Sequence, residues 1–308
     1  SLLTVEEGGV CKGELEKLRE LHKMGVRMIT LTWNFDNEIG HPNFDDGLKG
    51  KMKEAMEAWR ACEEGMAQQG QQGMAQQEQQ GMAQQGQQGL TQQERQGMAQ
   101  QEPQGLTQQE QLCQAEREEM YRTAQAAYDA YMHTPNLTGG LTEKGKELVA
   151  EMENLGIIPD VSHLSDAGFL DVLSVTKKPF VASHSNARAV CPNVRNMTDD
   201  MIKKLSRRGG VMGLNFCPDF LEEKPLGEEN PGTIAAVVRH AKHIVNCGGE
   251  EVLALGSDLD GVGGRLEIPS PDRMGLLWEG LKRAGLTERQ VELAARENAK
   301  RVIGDVLK

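Results

Sequence analysis

Two hydrophobic periods interleave along the chain. Short β-branched and aliphatic runs at 2–5, 28–33, 157–163, 179–184, 211–216 and 252–258 are followed or preceded by stretches whose apolar residues recur three and four apart. The segment 14–24 puts Leu15, Leu18 and Leu21 on one face and stops at Gly25, which predicts an amphipathic helix. Thr142 caps a second helix, carrying Leu148, Val149, Met152 and Leu155, that stops at Gly156. Thr198 is a third cap, with Met197 and Ile202 spaced as a hydrophobic staple. Thr233 starts a helix running to Asn246 before Gly248, and Thr287 with Gln290 forms a capping box for the last helix. Strands alternating with helices predict repeated βα units and a parallel sheet.

Between 65 and 112 the pattern changes to an octapeptide repeat, GMAQQGQQ and its variants GMAQQEQQ, GLTQQERQ, GMAQQEPQ and GLTQQEQL. Eight residues turn an α-helix by about 800°, so each Met or Leu is rotated about 80° from the last and no apolar stripe forms. With a Gly in every repeat, Pro103 and almost nothing to bury, this tract is expected to be frayed helix or disordered. Its flanks at 52–59 and 116–132 are helical in pattern and would form a stalk. The chain therefore divides into a β/α part, 1–44 and 138–308, and an insertion, 45–137, read as a tolerated surface loop or as a Gln-rich interaction tract.

Charge and composition exclude some partners. A net charge of −12 and an isoelectric point near 5.2 argue against nucleic acid. No window approaches 18 uninterrupted apolar residues, and no signal-peptide progression opens the chain. Six cysteines with no CxxC disfavour a zinc ribbon or a disulfide framework and are read as reduced thiols of a cytoplasmic protein.

Six βα units suit either a barrel or an open doubly wound sheet, and the placement of the polar residues decides. They fall at strand ends: Glu6 and Glu7 after the first run, His163 ending the third, His184 ending the fourth, and Asp258 ending the sixth with Asp260 beyond it. A histidine closing a Val/Ile run is poor core filler. Two of them on successive strands, with a carboxylate on a third, are what a hydrolytic divalent metal takes. The expected fold is a TIM-type (β/α)8 barrel with about six of its eight units present. Other histidines are blander: His22 suits a helix C-terminus, His41 and His133 flank the insertion, and His240 with His243, lacking a third ligand, reads as a solvated helix face.

The strings VEEGG…GVRMITLTWN, GLTEKGKELVAEMENLGIIPDVSHLSDAGFLDVL, KPFVASHSNARAVCPNVRNMTDDMI, GGVMGLNF and LALGSDLDGV resemble, in order, blocks of the membrane (renal) dipeptidase family and its bacterial relatives. They cover nearly everything outside the Gln-rich tract. The resemblance implies a zinc dipeptidase with a binuclear site in a barrel: Glu6 bridging the metals, with Glu7 one residue away, His163 and His184 on one zinc, and Asp258 on the other. It implies that a metal-held hydroxide attacks the peptide bond of a dipeptide, that Asp258 moves the proton, and that Arg195 binds the substrate's terminal carboxylate. Ser162, Ser183 and Asn186 would orient the imidazoles.

Two departures qualify this. The family's first strand ends in a His-x-Asp pair with no counterpart here, so the chain is expected to be truncated ahead of Ser1 and to form one good zinc site from Glu6, His163 and His184. Where many members place a substrate-contacting His, this chain has Trp33, with Asn34 beside it as the substrate-binding hydrogen bonder. The expected partners are a dipeptide and, through open sheet edges, a second copy of the chain as a homodimer. Two other readings stand beside the dipeptidase: a metal-dependent amidohydrolase acting on a non-peptide amide or ester, and a catalytically impaired remnant with a Gln-rich interaction loop.

Overall fold

The computed structural model describes residues 2–85 and 108–307. It resolves into two compact units, one of Ser1–Asp46 with Ala130–Lys308 and one of Gly47–Asp129.

The first unit is built on a six-stranded, all-parallel sheet whose spatial order follows chain order. The strands are β1 (Leu3–Val5), β2 (Val26–Thr30), β3 (Ile158–Asp160), β4 (Val181–Ala182), β5 (Val211–Leu214) and β6 (Leu253–Leu255). All six predicted runs overlap a strand; β1 ends with its run, and the other five strands stop two or three residues before theirs. The sequence runs continue as turns that hold polar side chains beyond the strand ends, so His163 and His184 follow their strands rather than finishing them. Among the described residues, hydrogen bonding does not close the sheet between β6 and β1.

Between strands run α1 (Leu15–Lys23), α4 (Glu143–Leu155), α5 (Asp166–Val175), α6 (Asp199–Arg207), the short α7 (Pro218–Leu221) and α8 (Ile234–Gly248). After β6 come α9 (Met274–Arg283), α10 (Glu288–Glu292), a π-helical turn at Leu293–Glu297 and α11 (Asn298–Val306). The predicted caps hold: Thr142, Thr198 and Thr233 each accept from the third backbone N–H beyond them, and Thr287 with Gln290 closes a capping box. Gly156 ends α4 at φ 76°, a conformation that favours glycine.

One face of the sheet, with Ile29, Leu31, Ile157, Phe180, Met212 and Leu253, is buried under the helices as the main core. On the other face Ile158, Val181, Val211 and Ala254 pack against Val302 and Val306 of α11. Strand alternation carries Asp160 and Ser183 onto that second face, one step nearer the strand C-termini. Gly213 and Gly256 are required here, because a Cβ on either would run into the Ser183 carbonyl oxygen. The glycines let β5 and β6 close up beneath the polar layer.

The second unit contains most of α2 (Asp46–Gln85) and α3 (Gln108–His133). Within it Trp59 and Tyr121 meet edge to face at 5.6 Å, and Arg117 Nε donates to Glu63 Oε1 at 2.5 Å. The octapeptides from Gly65 to Gln85 lie within α2. Ala, Met and Gln are good helix formers and make up most of this segment, alongside Gly65, Gly70, Gly73 and Gly81. The remaining repeats lie outside the described residues. Among the described residues no helix is long and apolar enough to cross a membrane, and all six cysteines are free.

Candidate metal centre

The site forms where βα loops leave the C-terminal ends of the strands. Glu6 follows β1 directly, His163 lies three residues past β3, and His184 lies two past β4. One ligand atom from each of these three residues falls within 4.8 Å of the other two. Glu6 Oε1 is 3.7 Å from His163 Nε2, and His163 Nε2 is 2.8 Å from His184 Nε2. The two neighbouring glutamates differ in their local surroundings. Glu7 caps a 3-10 turn, accepting from Gly9 N–H at 3.0 Å and Asn37 Nδ2 at 2.6 Å, while Glu6 keeps its carboxylate exposed beside the imidazoles.

The hydrogen bonds behind the imidazoles fix their protons. Ser162 Oγ donates to Asp160 Oδ1 at 2.8 Å, and Ser183 Oγ donates to Asp160 Oδ2 at 2.5 Å. Ser183 Oγ, its hydrogen committed, must accept from His184 Nδ1 at 2.7 Å. Asn34 Oδ1 likewise accepts from His163 Nδ1 at 2.8 Å. Both rings therefore carry Nδ1–H and turn an Nε2 lone pair toward the other. Burial, reinforced by the Arg195 guanidinium, holds both histidines below their ordinary pKa, so neither ring readily takes a proton into the gap. Two facing lone pairs beside a carboxylate suit a divalent cation. At metal–nitrogen distances of about 2.0–2.1 Å a tetrahedral ion separates its ligands by about 3.3 Å, so the rings need to part only slightly. The residues present fit a metal.

Asp160, which sequence reading passed over, is the floor of this site. It is fully buried and also accepts from Thr30 Oγ1 at 2.6 Å, Ser162 N–H at 3.1 Å and Ser183 N–H at 2.8 Å. Its partners come from β2 and from the turns that follow β3 and β4, which is why the Asp that closes the Ile-Pro-Asp strand gave no local signal.

Arg195 is 2% exposed and lies in the loop between β4 and α6. Burial pushes its guanidinium down to about 10, which leaves it charged at neutral pH. Nη2 donates to His163 Nε2 at 3.1 Å, Nη1 has no hydrogen-bond partner among the described residues, and the Phe220 ring lies 5.2 Å from the guanidinium carbon. The loop is clamped. Arg188 grips Asp166 bidentately at 2.6 and 2.8 Å, Ser185 Oγ donates to the Arg195 carbonyl at 2.7 Å, and Ala187 N–H donates to His240 Nδ1 at 3.1 Å.

Other residues stand differently from expectation. Asp258 lies outside the ligand trio: it adopts φ 58° after β6 and accepts from Asn215 Nδ2 at 3.2 Å. It still acts on the site, because burial first, and then the charges of Asp258 and Asp160, raise the Glu6 pKa against the lowering effect of Arg195. Asn186 does not reach the imidazoles; its side chain bridges to Asn215, donating to that carbonyl at 2.9 Å and accepting from that N–H at 3.2 Å. His240 is not on a solvated face. It is fully buried, accepts from Ala187 and donates to the Leu221 carbonyl at 3.0 Å, because α8 packs that side against the Arg195 loop and α7. Trp33 is 40% exposed, with its ring 6.2 Å from His163 and edge-on to Phe35 at 5.8 Å.

Comparison with known proteins agrees with the geometry. The profile of the membrane dipeptidase family, peptidase family M19, matches residues 118–308. An uncharacterized protein encoded in the pqqA 5' region of Klebsiella pneumoniae is 38% identical over 143 residues, 46% of this chain and 50% of that one. An uncharacterized dipeptidase of Schizosaccharomyces pombe is 39% identical over 132 residues, 41% of this chain and 31% of its own length. The chain thus spans half, or less than half, of the curated relatives it matches. A metallo peptidase from Rhodobacter sphaeroides, solved with a phosphinate mimic of the dipeptide L-Ala-D-Ala, superposes with a TM-score of 0.65 at 23% identity, covering 99% of this chain and 63% of that one. At that identity the likeness shows the fold, which is of the (β/α) barrel kind. With its family profile running through His163, His184, Arg195 and Asp258, the chain belongs to the membrane dipeptidase family, peptidase family M19.

Proposed function

We propose that the chain carries a zinc-dependent dipeptidase site in which Glu6, His163 and His184 hold the metal and Arg195 holds the substrate's C-terminal carboxylate. The observation that carries the reading is the pair of proton-free Nε2 atoms 2.8 Å apart, with the Glu6 carboxylate at one side. A bound zinc ion supplies an activated water and polarises the scissile carbonyl. The chain's residues do the rest. His163 and His184 are fixed in tautomer by Asn34 and Ser183, so their lone pairs need no reorganisation. Were His163 to ligate a metal, Arg195 Nη2 would be released, and with Nη1, which has no partner among the described residues, it would offer a planar fork for a carboxylate in a site buried enough to strengthen the pairing. Asp258, held by Asn215, is the group we assign to accepting a proton from the attacking water and returning it to the leaving amine. Asn34, read from sequence as a substrate contact, is assigned to holding His163. Glu6, His163 and His184 make one well-formed metal site, and Asp258 stands apart as the residue for a second metal of the binuclear kind. The β/α unit carries all of this, and a homodimer remains part of the proposal through the open edges β1 and β6.

The test compares zinc-loaded chain on L-Ala-L-Ala, on L-Ala-D-Ala and on the corresponding dipeptide amides. The free acids should be cleaved and the amides should lose at least tenfold in kcat/KM, with Arg195→Met abolishing the difference. Equal cleavage of acids and amides would favour the amidohydrolase reading. Metal binding with no cleavage of either would leave the impaired remnant.

A further inference from the structure

A second group of unlike metal-ligating side chains lies away from the strand ends, between α6 and α8. Thr198 caps α6, which puts Asp199 at its first helical position. His243 and Cys247 lie four apart on α8, so they project from one face of that helix. His243 Nε2 is 2.7 Å from Asp199 Oδ1, and the Cys247 Sγ reaches the Asp199 carbonyl at 3.4 Å. One ligand atom from each of the three falls within 4.8 Å of the other two. All three are half-buried, so the seam is open to an entering ion yet too crowded for freely moving side chains.

We propose that Asp199, His243 and Cys247 form a peripheral binding site for a borderline divalent transition ion such as Zn2+ or Co2+. The donor set is one oxygen, one imidazole nitrogen and one sulfur, which selects against Mg2+ and Ca2+. On binding, the Cys247 S–H bond breaks, its proton leaves to solvent, and the thiolate and the Asp199 carboxylate together neutralise the dication. Three protein ligands leave a position for water. The ion would replace the His243–Asp199 hydrogen bond as the tie between α6 and α8. Lys203, exposed on the next turn of α6, lies close enough to act on the Cys247 thiol and weakens the site for a cation relative to the buried centre. The proposal is independent of the dipeptidase reading, because none of the three residues belongs to that centre.

The experiment titrates metal-free full chain with Co2+ and follows the near-ultraviolet thiolate-to-cobalt charge-transfer absorption, which only a sulfur ligand produces. A single saturable band is expected, lost in Cys247→Ser, shifted to at least tenfold higher Co2+ in His243→Gln, and retained in the His163→Ala/His184→Ala double variant. His243→Gln keeps a donor for Asp199 and so preserves the helix contact. The proposal is overturned by the absence of a thiolate band in the parent chain, by a band that survives Cys247→Ser, or by an unchanged titration in His243→Gln.

Discussion

His163 and His184 present unprotonated Nε2 atoms to each other at 2.8 Å. Neighbouring lone pairs repel, and burial together with Arg195 opposes protonation of either ring. The pair is therefore arranged to suit a cation, and the setting of its rings depends on the groups that hold their far nitrogens.

Removing one of those groups should weaken the metal without unfolding the chain. Ser183→Ala deprives His184 Nδ1–H of its acceptor, and Asn34→Leu does the same for His163. Each variant is expected to lose about 10–100-fold in zinc affinity, measured by competition with a chromogenic chelator. Unchanged affinity in both would show that the rings are held by packing alone.

Asp160→Asn tests the floor of the site. The carboxylate accepts five hydrogen bonds from Thr30, Ser162 and Ser183. An amide turns its NH2 toward some of those donors and leaves them unpaired, at about 1–3 kcal/mol each. The unfolding free energy from denaturant titration should fall by at least about 2 kcal/mol, seen as a lower midpoint at unchanged m-value.

The two adjacent glutamates should separate cleanly. Glu7→Ala removes a cap, and the metal-free chain should lose about 1 kcal/mol while zinc affinity holds. Glu6→Ala touches an exposed side chain, so stability should stay within about 0.5 kcal/mol while zinc affinity drops. The reverse pattern would reassign the ligand to Glu7.

His240 gives the fold a pH dependence. Burial pushes its pKa down to about 4, whereas in the unfolded chain it titrates near about 6.5. Above the unfolded value both states are neutral and the native contacts to Ala187 and Leu221 are intact. As pH falls below 6.5, the unfolded state takes up a proton that the native state refuses, and stability declines until about pH 4. A shift of that size corresponds to about 3 kcal/mol. Subtracting the urea-unfolding profile of His240→Gln from that of the parent chain should isolate the loss in that window. A flat difference would mean that His240 is not held neutral.

Much of this was legible in the sequence because it is local. Thr142, Thr198, Thr233 and Thr287 declared their helices through side chains that bond three residues on, and Gly156 declared a stop through its backbone freedom. Glu6, His163 and His184 stood out because polar groups are anomalous beside aliphatic runs. What stayed hidden depends on pairings distant in sequence. Asp160 is explained by Thr30 and Ser183, and His240 by a loop and a short helix that the α8 pattern does not reveal. The same limit applied to His243, whose neighbour Asp199 belongs to another helix.

The central claim is that His163 and His184 hold a metal ion, and the direct measurement is isothermal titration of metal-free chain with Zn2+ in a Cys247→Ser background that silences the peripheral site. One tight zinc is predicted in that variant, and its loss when His163→Ala and His184→Ala are added. Tight binding of equal stoichiometry with both histidines replaced would contradict the account.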